Sequence, residues 1–149
     1  MRHLLLKLAK SKGMCAENYS ALAHCESKAE MVELYKRTID WALENNYPPI
    51  GVLRDHFDDC DDLGVFVDHK FKGETLSEHQ VYVFHNCTGV INVEMDYENE
   101  VIPMLYFAND CHIHVESHDN IRIPLYIAKD GGVVTFNGHG EATFKRYEI

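Results

Sequence analysis

The feature that most constrains this chain is an internal repeat between Val81 and Phe136. Three segments align: VYVFHNCTGVINVE at 81–94, MLYFANDCHIHVE at 104–116 and LYIAKDGGVVTF at 125–136. Each is an apolar strand, a small polar corner and a second, alternating strand. A fainter copy, FDDCDDLGVFVD, occupies 57–68. One such unit cannot bury its apolar face alone, so the units must stack, and a period slightly above 20 residues specifies a β-solenoid. The expected fold is α+β: an N-terminal helical segment, residues 1–57, capping a short right-handed parallel β-helix of about four rungs, residues 58–149. The two parts are expected to form one compact unit.

Alternation predicts which residues face inward. Aligned on the second strand, Val67, Val93, Val115 and Phe136 form one interior column. Val65, Ile91, Ile113 and Val134 form the next, and Phe84, Phe107 and Ile127 close the opposite wall. Phe66, Asn92, His114 and Thr135 then point outward, as do Asp68, Glu94, Glu116 and Asn137. Cys87 and Cys111 fall at corners, where a small side chain fits. Residues 69–80 are expected as an irregular link. Pro103 and Pro124 are each expected one residue before a strand, where a missing N–H is tolerated. The tail from Glu141 to Ile149 is strand-like, with Lys145 and Arg146 as edge charges.

Ahead of the repeat, Leu4, Leu5, Leu8 and Ala9 recur at helical spacing, and Gly13 offers a stop. A second short helix is expected over Ala16–His24. Ser27 and Glu30 form a capping box that opens a helix to about Asn45. Met31, Leu34, Tyr35, Thr38, Trp41 and Ala42 make its buried stripe. Tyr47-Pro48-Pro49 ends it, and Pro49 opens a short helix through Leu53 to Phe57. These helices are placed to cover one open end of the solenoid.

Charge is distributed unevenly. The 149 residues carry a net charge of −10. Residues 1–50 hold seven Lys/Arg against six Asp/Glu, and residues 51–149 hold seven against eighteen, a net of −11. An acidic solenoid lacks the cations that neutralise phosphate backbones, so direct nucleic-acid binding is not expected. No stretch is apolar enough for a membrane span. Lys7 interrupts the apolar start and no small-residue cleavage site follows it, which argues against a signal peptide. Five irregularly spaced cysteines without a Cys-x-x-Cys pair point to a reduced, cytoplasmic chain.

Few residues suggest chemistry. On one strand, His112, His114 and Glu116 share the outward face, and alternate histidines with a carboxylate are feasible ligands for a divalent metal such as zinc. His118 lies just beyond. Cys111 with His85 or His112 lacks the third element that a nucleophilic site needs. The Asp58, Asp59, Asp61 and Asp62 cluster lacks the late glutamate of a calcium loop. No phosphate loop, nucleophile elbow or zinc-protease helix is present.

The helical start with Cys15, Tyr19, Cys25, Tyr35, Asp40-Trp41 and Tyr47-Pro48, running into GVFVD at 64–68 and NCTG at 86–89, resembles uncharacterised short β-helix proteins with a helical N-terminal cap. Those proteins are encoded in bacterial mobile elements and prophages. The resemblance implies a fold and a genomic setting but no activity. The expected function is therefore a non-enzymatic interaction protein, without a cofactor. It presents an acidic column of Asp68, Glu94 and Glu116 to a protein partner with a basic surface. A second copy bound through a solenoid end is a further expected partner. The alternative is a small metal-dependent or acid/base enzyme built on His112, His114 and Glu116.

Overall fold

A computed structural model of the chain describes residues 1–139 and 142–149. Among these residues, five α-helices precede nine strands. The helices are α1 (Arg2–Ser11), α2 (Ala16–Ala23), α3 (Lys28–Arg37), α4 (Ile39–Glu44) and α5 (Ile50–His56). A 3-10 turn, Asp61–Leu63, leads into the strands. They are β1 (Val65–Val67), β2 (Lys70–Leu76), β3 (Val81–His85), β4 (Thr88–Val93) and β5 (Met104–Ala108), then β6 (Cys111–Ser117), β7 (Arg122–Ile127), β8 (Gly132–Gly138) and β9 (Thr143–Glu148). Odd strands form one parallel sheet, β1-β3-β5-β7-β9, and even strands the other, β2-β4-β6-β8. The chain is thus a β-solenoid of about four turns with helices at its N-terminal side.

The interior between the sheets is a set of ladders. Phe66, Phe84 and Phe107 stack with centroids 5.5 and 4.9 Å apart and planes within 11°. Facing them are Ile91, Val115 and Val134, with Cys87 and Cys111 fully buried at the corner. Each fully buried ring or branched side chain contributes about 1.5–3 kcal/mol, and the stacked rings about 0.5–1.5 kcal/mol more per pair. Tyr106, Tyr126 and Tyr147 make a second aromatic ladder, at 4.5 and 4.7 Å, on the outer face of the five-stranded sheet.

That outer face is where the helices pack. Leu5, Ala9, Leu22, Val32, Tyr35, Leu53 and Phe57 share one core with Val65, Val83 and Tyr106. The helical layer caps the solenoid along its flank, and the expected cover over one end is not its position. The flank wins because alternation in β3 leaves Val81 and Val83 pointing away from the interior, where they need a second apolar layer. Ser27 Oγ accepts from the Glu30 amide at 3.2 Å, the serine half of the capping box; the Glu30 carboxylate reaches back one residue further than expected, accepting from the Glu26 amide at 2.5 Å. The single helix expected to Asn45 is two helices, broken at Thr38. Its backbone leaves helical geometry (φ −106°, ψ 23°), while its hydroxyl and its amide both donate to the Leu34 carbonyl at 3.0 Å, the back-bonding that bends helices. Trp41 is half-buried against Tyr47, with centroids 5.2 Å apart.

Four expectations about register are corrected. Val65–Val67 is a first-sheet strand, paired Val65↔Val83 and Phe66↔Phe84, so Phe66 points inward. The second strand of that turn is β2, inside the stretch expected to be irregular. A bulge at Gly73 breaks its alternation, and Lys70, Lys72 and Glu74 hide its two inward anchors, Phe71 and Leu76. Between β4 and β6 the pairing is Ile91↔Val115 and Asn92↔Glu116, two residues from the expected alignment. A slip of two keeps every side chain on its own face, so hydrophobic pattern alone cannot exclude it. The corner decides, because Cys87 stacks on Cys111, its amide donating to Cys111 Sγ at 3.4 Å. Finally, Pro124 lies within β7, opposite Lys145.

The β6–β8 register matches the expected one, with Ile113↔Val134 and Val115↔Phe136. The tail is a strand from Thr143, and Glu141 lies outside the described residues. All five cysteines are free, and four of them are buried. No described helix is long and apolar enough to cross a membrane.

Candidate functional site

The outer face of the four-stranded sheet carries the histidines singled out by the sequence. On β6 they alternate outward as expected, but they do not converge. His112 Nε2 lies 3.2 Å from Asp110 Oδ1. His114 Nδ1 lies 2.6 Å from Thr135 Oγ1, and its Nε2 lies 3.5 Å from Glu116 Oε1. Glu116 instead gathers with His118 and His139, whose ligand atoms all lie within 4.8 Å of one another. The two imidazoles stack with centroids 4.2 Å apart and planes 14° from parallel. His139 has no role in the sequence reading. The step of 21 residues that relates Ile113 to Val134 also carries His118 onto His139, so the repeat held the signal.

The three carboxylates expected as an acidic column do not form one. Asp68 turns the corner after β1 with φ of 56°. Arg54 grips it with two hydrogen bonds of 2.7 and 3.0 Å, and Asn86 adds a third of 2.7 Å. These donors hold the Asp68 carboxyl below its usual range. Glu94 follows β4 at the opposite edge, and Glu116 stands between Asn92 and Asn137. Because the Arg54–Asp68 pair is roughly half exposed, Asp68→Asn is expected to lower stability by less than about 1 kcal/mol in a urea titration.

Carboxylates concentrate instead along the edge where the chain returns from the four-stranded to the five-stranded sheet. Residues 77–80, 94–103 and 116–122 hold seven of them, Glu78, Glu94, Asp96, Glu98, Glu100, Glu116 and Asp119, against one Arg122. The longest turn, 94–103, is ordered by its own Asp96 and by Asp119 of the next turn. Asp119 accepts from the Met95 amide at 2.9 Å and from the Tyr97 hydroxyl at 2.7 Å. Asp96 accepts from the Glu98 and Asn99 amides, and its backbone bridges to Val101. Tyr97, 66% exposed, and Ile102, 39% exposed, stand out on this turn as large apolar groups in water.

A cavity of about 450 Å3 lies between the helical flank and the opposite edge, lined among others by Tyr47, Pro48, His85, Asn109, Lys129 and Asp130. His85 is fully engaged. Its Nδ1 lies 2.6 Å from Asn109 Oδ1, and its Nε2 lies 2.6 Å from the Tyr35 hydroxyl. Asn109 Nδ2 donates to Asp130, so Oδ1 faces the ring and accepts a hydrogen bond from Nδ1–H. Tyr35 then donates to Nε2. Burial pushes the imidazole down to about 4 and the Tyr35 phenol upward. Cys111 Sγ lies within hydrogen-bonding reach of the Phe84 and Ala108 carbonyls and is fully buried. His85 and Cys111 are thus parts of the packed corner, with both ring nitrogens and the thiol already partnered.

The fold defines a class: a short β-solenoid with a helical flank. Among protein-family models, curated proteins and solved structures, none matches this chain.

Proposed function

We propose that this protein is a non-enzymatic interaction module whose acidic turn edge binds a basic surface on a protein partner. The observation that supports it is the exposed Tyr97–Ile102 pair set among seven carboxylates on a turn hydrogen-bonded to the next one through Asp119. Exposed aromatic anchors with a charged rim are the usual anatomy of an interface hot spot. The turn is held by Asp119 and Asp96 before binding, so little ordering entropy opposes association. Glu94 and Glu116 belong to this edge; Asp68 belongs to the other. The resemblance directs the search for the partner to basic proteins of a bacterial host or of a mobile element.

Affinity capture from a lysate of the native cells tests this. The parent should retain a basic protein at low salt and release it near 0.5 M, where screening falls to a few Å. Tyr97→Ala should weaken capture by about 30-fold, the loss of one hot-spot residue of about 2 kcal/mol. Glu98→Gln with Glu100→Gln should slow association and flatten its salt dependence. Asp68→Asn should leave capture unchanged. Equal capture by the parent and the Tyr97 variant, or capture indifferent to salt, would show the edge to be solvated surface.

A further inference from the structure

We propose that Glu116, His118 and His139 form a binding site for a divalent transition metal, with zinc the best-fitting ion. The site shares Glu116 with the partner-binding edge but stands on different observations, and its test needs no partner. Two strands build the site. Glu116 and His118 leave the end of β6, and His139 follows β8, its amide donating to the Ser117 carbonyl at 2.9 Å. That bond continues the β6–β8 register one step past Ser117↔Gly138 and fixes His139 beside His118.

The donor set suits zinc. Two imidazoles and one carboxylate are borderline-soft ligands that select transition metals over calcium or magnesium. Two histidines and a glutamate with an open fourth position form a known zinc arrangement. The donor atoms lie within 4.8 Å of one another. Tetrahedral bonds of about 2.0–2.1 Å would bring them to roughly 3.4 Å apart. Both histidines are exposed, so rotation of their rings out of the stack covers the difference without moving the backbone.

A supporting contact is already in place. Glu116 Oε1 lies 3.5 Å from His114 Nε2, and His114 is itself fixed by Thr135 Oγ1 at 2.6 Å. His114 therefore orients the glutamate from behind, as outer partners of metal ligands do. This differs from the set expected from the sequence, in which His112 and His114 were ligands. His112 is turned to Asp110 and stays out of the site.

Calorimetric titration of tag-free protein with zinc chloride, with metal analysis after dialysis, tests the assignment. One zinc per chain is expected. His118→Ala and His139→Ala should each weaken binding by about tenfold or more, and His112→Ala should leave it unchanged. Side-chain nitrogen NMR of the parent supplies a reading that needs no variant: zinc should move the His118 and His139 ring signals and leave His112 in place. Absence of stoichiometric zinc, or binding that survives both His118→Ala and His139→Ala, would overturn the site. Loss of binding in His112→Ala alone would reassign it to His112, His114 and Glu116.

Discussion

Gly89→Ala is expected to prevent the second turn of the solenoid from closing. Gly89 sits opposite Phe71 with φ of 110°, and an added Cβ would meet the Phe71 carbonyl oxygen at 2.0 Å. That atom belongs to a paired backbone and cannot swing aside. Gly132 repeats the situation two turns on, with φ of 83° and a Cβ 2.1 Å from the Cys111 carbonyl oxygen. Clash and positive φ act together at both positions, and losses above about 4 kcal/mol are of the size that removes much of a small domain's stability. Either variant should be recovered mostly unfolded, or melt far below the parent by circular dichroism. Gly51→Ala is the control. Gly51 lies in α5 with open space around its Cα, and alanine there should raise stability by about 0.4–1 kcal/mol. A Gly89 variant that melts with the parent would show that the β2–β4 contact is wrong.

The second large effect is acid sensitivity from His85. Its folded pKa, about 4, lies below the usual value of 6.5. Above pH 6.5 the ring is neutral in both states and contributes no slope. Between 6.5 and 4 the unfolded chain takes up the proton first, so stability falls as pH falls. The slope is about 1.4 kcal/mol per pH unit, and the total about 3 kcal/mol, complete below pH 4. Asp59 and Asp68, held low chiefly by Lys28 and Arg54, act in a different window. Their stabilisation is lost only as pH falls below the usual carboxylate range near 3.8. Urea midpoints of the parent and of His85→Gln, measured from pH 7 to 4, separate the two. The parent should lose stability more steeply than the variant between 6.5 and 4. Parallel profiles would mean that His85 is not buried as a neutral group.

The repeat was legible because aromatic and β-branched residues recur at fixed offsets, and Phe84, Phe107 and Ile127 do line one wall. Face assignment survived wherever alternation was clean, as at Ile113, Val115 and Val134. It failed for Phe66, because β1 has only three residues and β2, the second strand of the same turn, is charged and bulged. Register failed between β4 and β6 because a two-residue slip leaves polarity unchanged, and only the stacked cysteines at the corner distinguish the alternatives. The metal-ligating candidates were legible by type but not by grouping. His112, His114 and Glu116 are neighbours in sequence, whereas His139 reaches Glu116 and His118 only through the register of the next rung. The acidic edge was hidden for the same reason: its carboxylates come from three turns that sequence distance keeps apart.

The flank placement of the helices gives the molecule a mechanical gradient. Strands β1, β3 and β5 are sandwiched, with Val65, Val83 and Tyr106 under the helices and Phe66, Phe84 and Phe107 in the interior. Among the described residues, β9 pairs only with β7, β8 only with β6, and Phe144 at that end is 40% exposed. A load applied at Ile149 therefore meets resistance in two regimes. It is expected first to free Ile149 and Tyr126 from their partial contact with the helical core and to peel β9, then β8, from the sheet edge, one hydrogen bond after another. It then reaches rungs that are gripped on both faces, where no strand can leave until a whole layer of helix gives way with it. The chain is expected to behave under tension as a zipper whose first rungs are sewn down.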